Sequence, residues 1–156
     1  MNMIASRNVP QDQAFLGSIV VPVQGVVALV SEDETTLAKL KPVCDFLDLR
    51  IEVVPMDANL ETALRELRPM GVIADLDGQT QDGFHTMKQV ARYNRDLPLM
   101  LLTGGDPIMM GAADAVQELC GLTAVTSTSE FPVAGQLVAF LFNAGRRAGC
   151  LRLLPI

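Results

Sequence analysis

The chain has 156 residues, of which 49% are hydrophobic and 19% charged, and its formal net charge at pH 7 is −6. This size and composition are typical of one compact, soluble domain, and they exclude a largely disordered chain. The negative charge would repel phosphate groups, so we expect neither nucleic acid nor an anionic membrane surface to be a direct partner.

The start of the chain, residues 1–25, is predicted to be an extension that precedes the folded domain. An apolar stretch covers residues 15–30, but Pro22 and Gly25 interrupt it. A membrane-spanning helix needs about 20 consecutive apolar residues, and a cleavable signal begins with a basic cluster, which is missing here. We therefore expect no membrane helix in this region.

The three cysteines, Cys44, Cys120 and Cys150, are far apart and have no CxxC spacing. An odd number without this spacing argues against a disulfide framework and against a zinc site. We therefore expect reduced, partly buried thiols and a cytoplasmic protein.

From Val26 onward, short apolar runs alternate with segments of helical periodicity. The runs predict strands over residues 26–30, 51–54, 72–74, 97–102 and 122–126. The helical stripes between and after them are Leu37/Leu40/Cys44/Leu47, Leu60/Ala63/Leu64/Leu67, Phe84/Met87/Val90/Ala91, Met110/Ala113/Val116 and Val133/Leu137/Phe140/Leu141. Pro42 should kink or shorten the first helix, and Asp106 is predicted to cap the fourth.

Five strand–helix units in strict alternation predict an α/β fold, a parallel sheet with helices on both of its faces. The folded domain is predicted to cover residues 26–147. Residues 148–156 are then a C-terminal tail or the start of a linker.

Polar side chains follow the predicted strands at the points where these end. Glu32 and Asp33 follow the first strand, Asp75 ends the third with Asp77 close behind, and Thr103 follows the fourth. Because the carboxyl ends of parallel strands meet at one edge of the sheet, these groups should lie close together. Clustered oxygens suit Mg²⁺, so Glu32, Asp33 and Asp75 are candidate ligands.

Asp75 is followed by Asp82-Gly83-Phe84, and the acidic end of the first strand and Thr103 accompany it. Over about residues 26–146 this pattern resembles the CheY-like receiver domains of two-component response regulators. The resemblance implies a flavodoxin-like (βα)5 doubly wound sandwich with a five-stranded parallel sheet of order 2-1-3-4-5.

The resemblance also implies a function. A histidine kinase or phosphotransfer protein would transfer a phosphoryl group to Asp75, aided by Mg²⁺, to which Asp77 adds a backbone carbonyl. Thr103 would respond as the switch hydroxyl. The chain would then be a regulatory domain and not an enzyme, acting on an output domain or a partner protein.

The chain departs from the family pattern in its acids and in its switch. Receivers usually begin the acidic pocket with two adjacent acids, whereas Ser31 and Glu32 stand here, or Glu32 and Asp33 if the register slips by one. Val125 stands where the family has an aromatic that moves with the threonine. These departures are typical of a divergent or degenerate receiver.

The family's lysine at the end of the fifth strand is also missing. Thr128 is the expected occupant, and Ser127 and Ser129 stay open as alternatives. A unit charge about 4 Å from a phosphoryl oxygen is worth roughly 4 kcal/mol at an effective dielectric constant of 20. A hydroxyl recovers only part of that interaction, so we expect weak coupling between Asp75 and any switch.

Other interpretations of these residues stay open. The chain could be a pseudo-receiver that takes no phosphate and serves dimerisation or docking, including as a homodimer. Gly104-Gly105 precedes a helix and could hold an anion, so a nucleotide-binding α/β domain is a further alternative. Asp33 and its neighbour could simply open the first helix, where the helix dipole favours acids. His85, the single histidine, is expected on the surface.

Overall fold

The computed structural model describes residues 20–22, 24–55, 57–76, 83–149 and 151–153. In these ranges the strands are β1 (Val20–Pro22), β2 (Val26–Val30), β3 (Arg50–Val53), β4 (Gly71–Asp75), β5 (Leu99–Leu102), β6 (Val125–Thr128) and β7 (Leu151–Leu153). The helices are α1 (Glu34–Phe46), α2 (Leu60–Leu67), α3 (Gly83–Tyr93), α4 (Pro107–Cys120) and α5 (Ala134–Ala148). None of these helices has both the length and the apolar character needed to cross a membrane.

Strands β2 to β6 form one parallel sheet in the order β3-β2-β4-β5-β6. Counted along the chain, this is the order second, first, third, fourth and fifth, so the predicted flavodoxin-like fold and sheet order are confirmed. The central strand β4 has neighbours on both sides, and its first four residues are buried. This double burial explains why its sequence is an uninterrupted apolar run.

The helices cover both faces of the sheet and form two hydrophobic cores. One core packs α2, α3 and α4 against alternate strand residues, including Ala28, Val72 and Leu99. The other packs α1 and α5 against the intervening residues, including Ile73 and Met100. Because successive strand side chains point to opposite faces, each strand feeds both cores.

The predicted start of the fifth strand, at residue 122, was wrong. Helix α4 ends at Cys120 and is followed by Gly121 in the left-handed conformation (φ 71°), and the Leu122 N–H then donates to the Gln117 carbonyl at 3.1 Å. This bond ends the helix and delays the strand until Val125, although the Leu122 side chain is buried. The apolar side chain belongs to the core without belonging to the sheet.

Pro42 does not end helix α1. The helix continues to Phe46, with Leu40 and Cys44 fully buried on either side of the proline. A proline inside a helix removes one backbone hydrogen bond. The burial of these two side chains against the sheet offsets that loss.

The predicted extension and the predicted tail pair with each other. Strand β1 runs antiparallel to β7, with Val20 opposite Leu153 and Pro22 opposite Leu151. This two-stranded ribbon is separate from the five-stranded sheet. The boundaries of the domain at residues 26 and 147 stay a prediction.

The tight contact between Gly83 and Leu76 leads to a stability prediction. A Cβ on Gly83 would lie 2.5 Å from the Leu76 Cα and 2.7 Å from its carbonyl oxygen, so neighbouring backbone would have to move. We expect Gly83→Ala to lower the free energy of unfolding by about 1–3 kcal/mol, measured by urea denaturation.

Gly111 provides the matched control, because a Cβ added there would meet nothing within 4 Å apart from its chain neighbours and the backbone of its own helix. Gly111→Ala should raise the free energy of unfolding by about 0.5–1 kcal/mol, since it adds a better helix former to the interior of α4. Equal effects of the two substitutions would contradict the clash at Gly83.

The burial of Cys44 leads to a prediction about its reactivity. Burial, with a smaller contribution from the negative charge of Asp45, raises the pKa of the Cys44 thiol to about 12. At pH 8 this leaves about a thousandfold less thiolate than in an ordinary cysteine. In a variant with Cys120 and Cys150 changed to serine, Cys44 should react with a thiol reagent only as fast as the protein opens.

The same shift makes stability depend on alkaline pH. The folded thiol titrates above the unfolded one, so its contribution is complete below about pH 9 and is lost as the pH rises towards 12. Denaturation at several pH values should show a steeper alkaline loss for the native sequence than for Cys44→Ala. Fast labelling of Cys44 in folded protein would contradict its burial.

Candidate functional site

A cavity of about 560 Å³ lies where the carboxyl ends of β2, β4 and β5 meet. This is the edge at which the sequence predicts a site. The lining comes from the ends of these strands, from α1 and from the segment after β6, and consists of Glu32, Asp33, Thr35, Thr36, Lys39, Asp75, Leu102, Gly104, Ser129, Glu130 and Phe131. The candidate acids from the first and third sheet strands therefore share one cavity.

Asp75 is the last residue of the central strand β4, and its side chain is half-buried. The Ser31 hydroxyl donates a hydrogen bond to Asp75 Oδ2. Ser31 Oγ in turn accepts a hydrogen bond from the Asp33 N–H at 3.0 Å. A hydrogen bond to a carboxylate is stronger than a neutral one, so this serine fixes the orientation of Asp75.

Asp33 is the N-cap of helix α1. Its Oδ1 accepts hydrogen bonds from the Thr35 hydroxyl at 2.8 Å and from the Thr35 N–H at 2.9 Å. These two bonds, and then the positive charge of Lys39, lower the pKa of the Asp33 carboxyl. The structure thus gives Asp33 the helix-opening role that the sequence left open beside metal binding.

The predicted magnesium ligands are only partly assembled. Glu32, Asp33 and Asp75 line the same cavity, but the described part of the chain contains no cluster of three or more acidic, histidine or cysteine side chains able to hold a metal. Asp77 lies outside the described residues. Mg²⁺ commonly takes one or two carboxylates and completes its shell with water. Glu32 and Asp75 meet that minimum, so they fit a water-rich Mg²⁺ site.

Thr103, the predicted switch residue, is buried at the end of β5, with 2% of its surface exposed. Its hydroxyl donates to the Thr128 carbonyl at 3.1 Å, and its N–H donates to the same oxygen at 2.9 Å. Thr103 is not among the residues that line the Asp75 cavity. Its hydroxyl is held against the end of β6 by the bond to Thr128.

The end of β6 places Ser129, not Thr128, in the Asp75 cavity. Thr128 donates its hydroxyl to the Glu130 carbonyl, and with Ser127 it lines a separate groove of about 490 Å³ between β6 and α5. Strand β6 ends at Thr128, so Ser129 is the first residue after the strand, where the chain can turn towards the cavity. Of the three candidates for the missing lysine, the structure brings only Ser129 to the site.

Lys39 is a site residue that the sequence reasoning missed. This exposed side chain lines the cavity from α1, and its Nζ lies 5.5 Å from the centroid of the Phe131 ring. One signal could have found it, because Thr35 and Lys39 are four residues apart and so share a helix face. That face begins at the capping residue Asp33, next to the strand ends.

The Gly104-Gly105 turn gives little support to a nucleotide site. Both glycines have positive φ, 73° and 84°, a conformation that favours glycine. The N-terminus of α4 that follows is already capped by the Asp106 carboxylate, which accepts from the Ile108 N–H at 2.9 Å. A second anion at that position would meet this negative charge.

His85 lies away from the Asp75 cavity, on α3. Gln89 Oε1 accepts from the Glu61 N–H at 2.9 Å, so its amide nitrogen faces His85 and donates to His85 Nε2. Gln89 thus caps α2 from a neighbouring helix, and His85 supports that cap.

Similarity to known proteins is found among solved structures. No protein-family model matches the chain, and no curated protein matches it in sequence. The chain is similar to the N-terminal signal receiver domain of a two-component response regulator from Bacteroides fragilis, with 20% identity and a TM-score of 0.60. That match covers 78% of this chain and 96% of the other.

Two further structures show the same similarity. One is the receiver domain of a sensor histidine kinase from Pseudomonas aeruginosa with a magnesium ion in its active site cleft, at 14% identity and a TM-score of 0.58, covering 81% of this chain and 98% of the other. The second is a transiently phosphorylated switch in bacterial signal transduction, at 19% identity and a TM-score of 0.61, with the same coverages. At these identities the similarity establishes the fold, and the chain has the fold of response-regulator receiver domains.

Proposed function

We propose that this chain is a receiver-like regulatory domain in which Asp75 accepts a phosphoryl group. The observation that carries the proposal is the position of Asp75, whose carboxylate ends the central strand of a receiver fold and lines a cavity with Glu32 and Asp33. A histidine kinase or phosphotransfer protein is the donor. The modified domain then signals by contact with an output domain or a partner protein.

The transfer itself requires little covalent chemistry from the protein. An oxygen of Asp75 attacks phosphorus in line as the bond from phosphorus to the donor breaks and its electron pair leaves with the donor. Ser31 holds the carboxylate in one orientation through its hydrogen bond to Oδ2. Mg²⁺ held by Glu32 and Asp75 would supply positive charge that neutralises the phosphoryl oxygens.

The response to the phosphoryl group is expected to be weak. The modification adds about 1.5–2 negative charges and strong acceptor oxygens to the cavity. Thr103 could reach these oxygens only after its hydroxyl leaves the Thr128 carbonyl, which costs about 0.5–1.5 kcal/mol. Ser129, in place of a lysine, adds no charge. The equilibrium between the two states therefore moves less than it would in a site with a full switch.

A pseudo-receiver is the second candidate function. Two specific contacts favour it. The Ser31 hydroxyl donates to an oxygen of Asp75, and the Thr103 hydroxyl donates to the Thr128 carbonyl, so both groups already have partners within the protein. In this case the domain takes no phosphate and acts as a docking or dimerisation module. The two candidates differ in one measurable property, which is whether Asp75 forms a covalent adduct.

Phosphorylation of Asp75 is tested by incubating the protein with acetyl phosphate and Mg²⁺ and measuring its intact mass. We expect the mass of one phosphoryl group on the native sequence and none on Asp75→Asn, because the amide is not a nucleophile. Glu130→Gln, which changes another acid of the same cavity, is the control and should keep the adduct.

The contrary result has two parts. Native protein that gains no mass, and whose amide resonances near Asp75 do not move with beryllofluoride, is not a phosphoacceptor. Partner binding that survives Asp75→Asn in the same protein would then favour the pseudo-receiver.

Ser31→Asp tests whether the cavity holds Mg²⁺. A third carboxylate beside Glu32 and Asp75 should tighten Mg²⁺ binding by about tenfold, because affinity in oxygen sites rises with ligand charge. Ser127→Asp adds the same charge in the groove beneath α5 and should change nothing. The measurement is a Mg²⁺ titration followed by amide chemical shifts. Identical Mg²⁺ affinities of the native protein, Ser31→Asp and Ser127→Asp would show that the metal does not bind in this cavity.

A further inference from the structure

The charges around Asp75 are unbalanced. Four carboxylates line the cavity, those of Glu32, Asp33, Asp75 and Glu130, and Lys39 is the one lysine or arginine among the described lining residues. A phosphoryl group on Asp75 would add about 1.5–2 further negative charges. Repulsion between this group and the four carboxylates opposes the modification unless a nearby cation neutralises part of the charge. Lys39 is the cation that the described lining offers.

Beyond the hydrogen bonds from Thr35, the charge of Lys39 is close enough to lower the pKa of the Asp33 carboxyl, but Lys39 forms no direct salt bridge with it. Among the described residues, the salt bridges within 4.0 Å involve Lys41, Arg50 and Arg65, and none involves Lys39. Lys41, two residues further along the same helix, pairs with Asp45 at 3.7 Å. The two lysines of α1 therefore differ in their surroundings, and the ammonium of Lys39 can still bind an anion.

Phe131 gives Lys39 a fixed platform. The lysine Nζ lies 5.5 Å from the ring centroid, within the range of about 6 Å in which a cation and an aromatic face attract. The ring is half-buried and packs against the core formed with α1 and α5, so the core limits its motion. It follows directly after Ser129 and Glu130. The segment after β6, which brings no lysine to the cavity, therefore provides the aromatic ring that contacts Lys39.

We propose that Lys39 binds the phosphoryl group on Asp75 and that Phe131 holds the lysine over the cavity. This inference rests on the proposed function and adds a phosphoryl-binding residue from α1. The positive charge of the site then comes from the first helix of the domain, not from the end of β6, where Ser129 stands.

The step that Lys39 assists is balanced with acetyl phosphate as the donor. A bond forms between an Asp75 oxygen and phosphorus while the bond between phosphorus and the acetyl oxygen breaks, and acetate leaves with the electron pair. Lys39 keeps its proton throughout and donates hydrogen bonds to the phosphoryl oxygens. Such charge-assisted bonds are stronger than neutral ones.

The test compares variants of the full chain with two probes, beryllofluoride binding and the rate of labelling by acetyl phosphate. Lys39→Gln should lower both by about tenfold, equivalent to about 1.4 kcal/mol. Lys39→Arg keeps the charge and should recover most of the loss. Phe131→Leu removes the ring face and should cause a smaller loss of the same kind.

Lys41→Gln is the matched control, because it removes a lysine from the same helix without touching the cavity. It should bind beryllofluoride as tightly as the native protein. Binding to Lys39→Gln should also depend less on salt, since one charge contact has gone. A purely structural role would change the urea midpoint of Lys39→Gln and leave the salt dependence unchanged.

Each outcome decides a separate point. Native protein that takes the adduct while Lys39→Gln takes it equally fast overturns the role of Lys39 and leaves the proposed function standing. Native protein that neither takes the adduct nor binds beryllofluoride overturns both. A loss in Lys41→Gln equal to that in Lys39→Gln would assign the effect to the overall charge of α1, which also overturns the proposal.

Discussion

The parallel pairing of β4 between β2 and β5 is the constraint on which the rest of the structure depends. Burial on both faces fixes the register of this strand, and the register fixes the position of its last residue. Asp75 therefore reaches the edge of the sheet as a consequence of packing. The hydrogen bond from Ser31 to Asp75 and the position of Asp75 in the cavity follow from that placement.

The fold could be predicted because its strands are buried on both faces and so appear as plain apolar runs. Asp75 could be predicted for the same reason, since it ends such a run. The start of β6 could not be predicted, because the Leu122 side chain is buried in the core like that of a strand residue while its N–H bonds to the end of α4. The pairing of β1 with β7 could not be predicted either, because it joins distant segments of three residues each, which are too short to show a strand pattern. Lys39 is not singled out by the sequence, because its spacing from Thr35 indicates a shared helix face but not that this face lines the cavity.

The cavity at the strand ends combines carboxylates with hydroxyl groups. Two hydroxyl groups stand beside Asp75 and its cavity, that of Ser31 after β2 and that of Ser129 after β6. A hydroxyl can both donate and accept, so it can form local hydrogen bonds where an acid or a lysine would have bound an ion. The cavity is consequently held in shape by its own contacts. Whether it also binds a ligand depends on the balance between its four acids and Lys39.

The contact between Gly83 and Leu76 has a consequence for the segment between them. The Gly83 N–H donates to the Leu76 carbonyl at 2.8 Å, so the two ends of residues 77–82 are clamped by a backbone hydrogen bond. A clamped segment can change in length at little thermodynamic cost, since doubling a loop costs only about 0.6 kcal/mol. Residues inserted there would not disturb the strand before the clamp or the helix after it. The clamp thus separates the length of the segment between Leu76 and Gly83 from the position of Asp75, so this length can vary while the carboxylate stays at the end of β4.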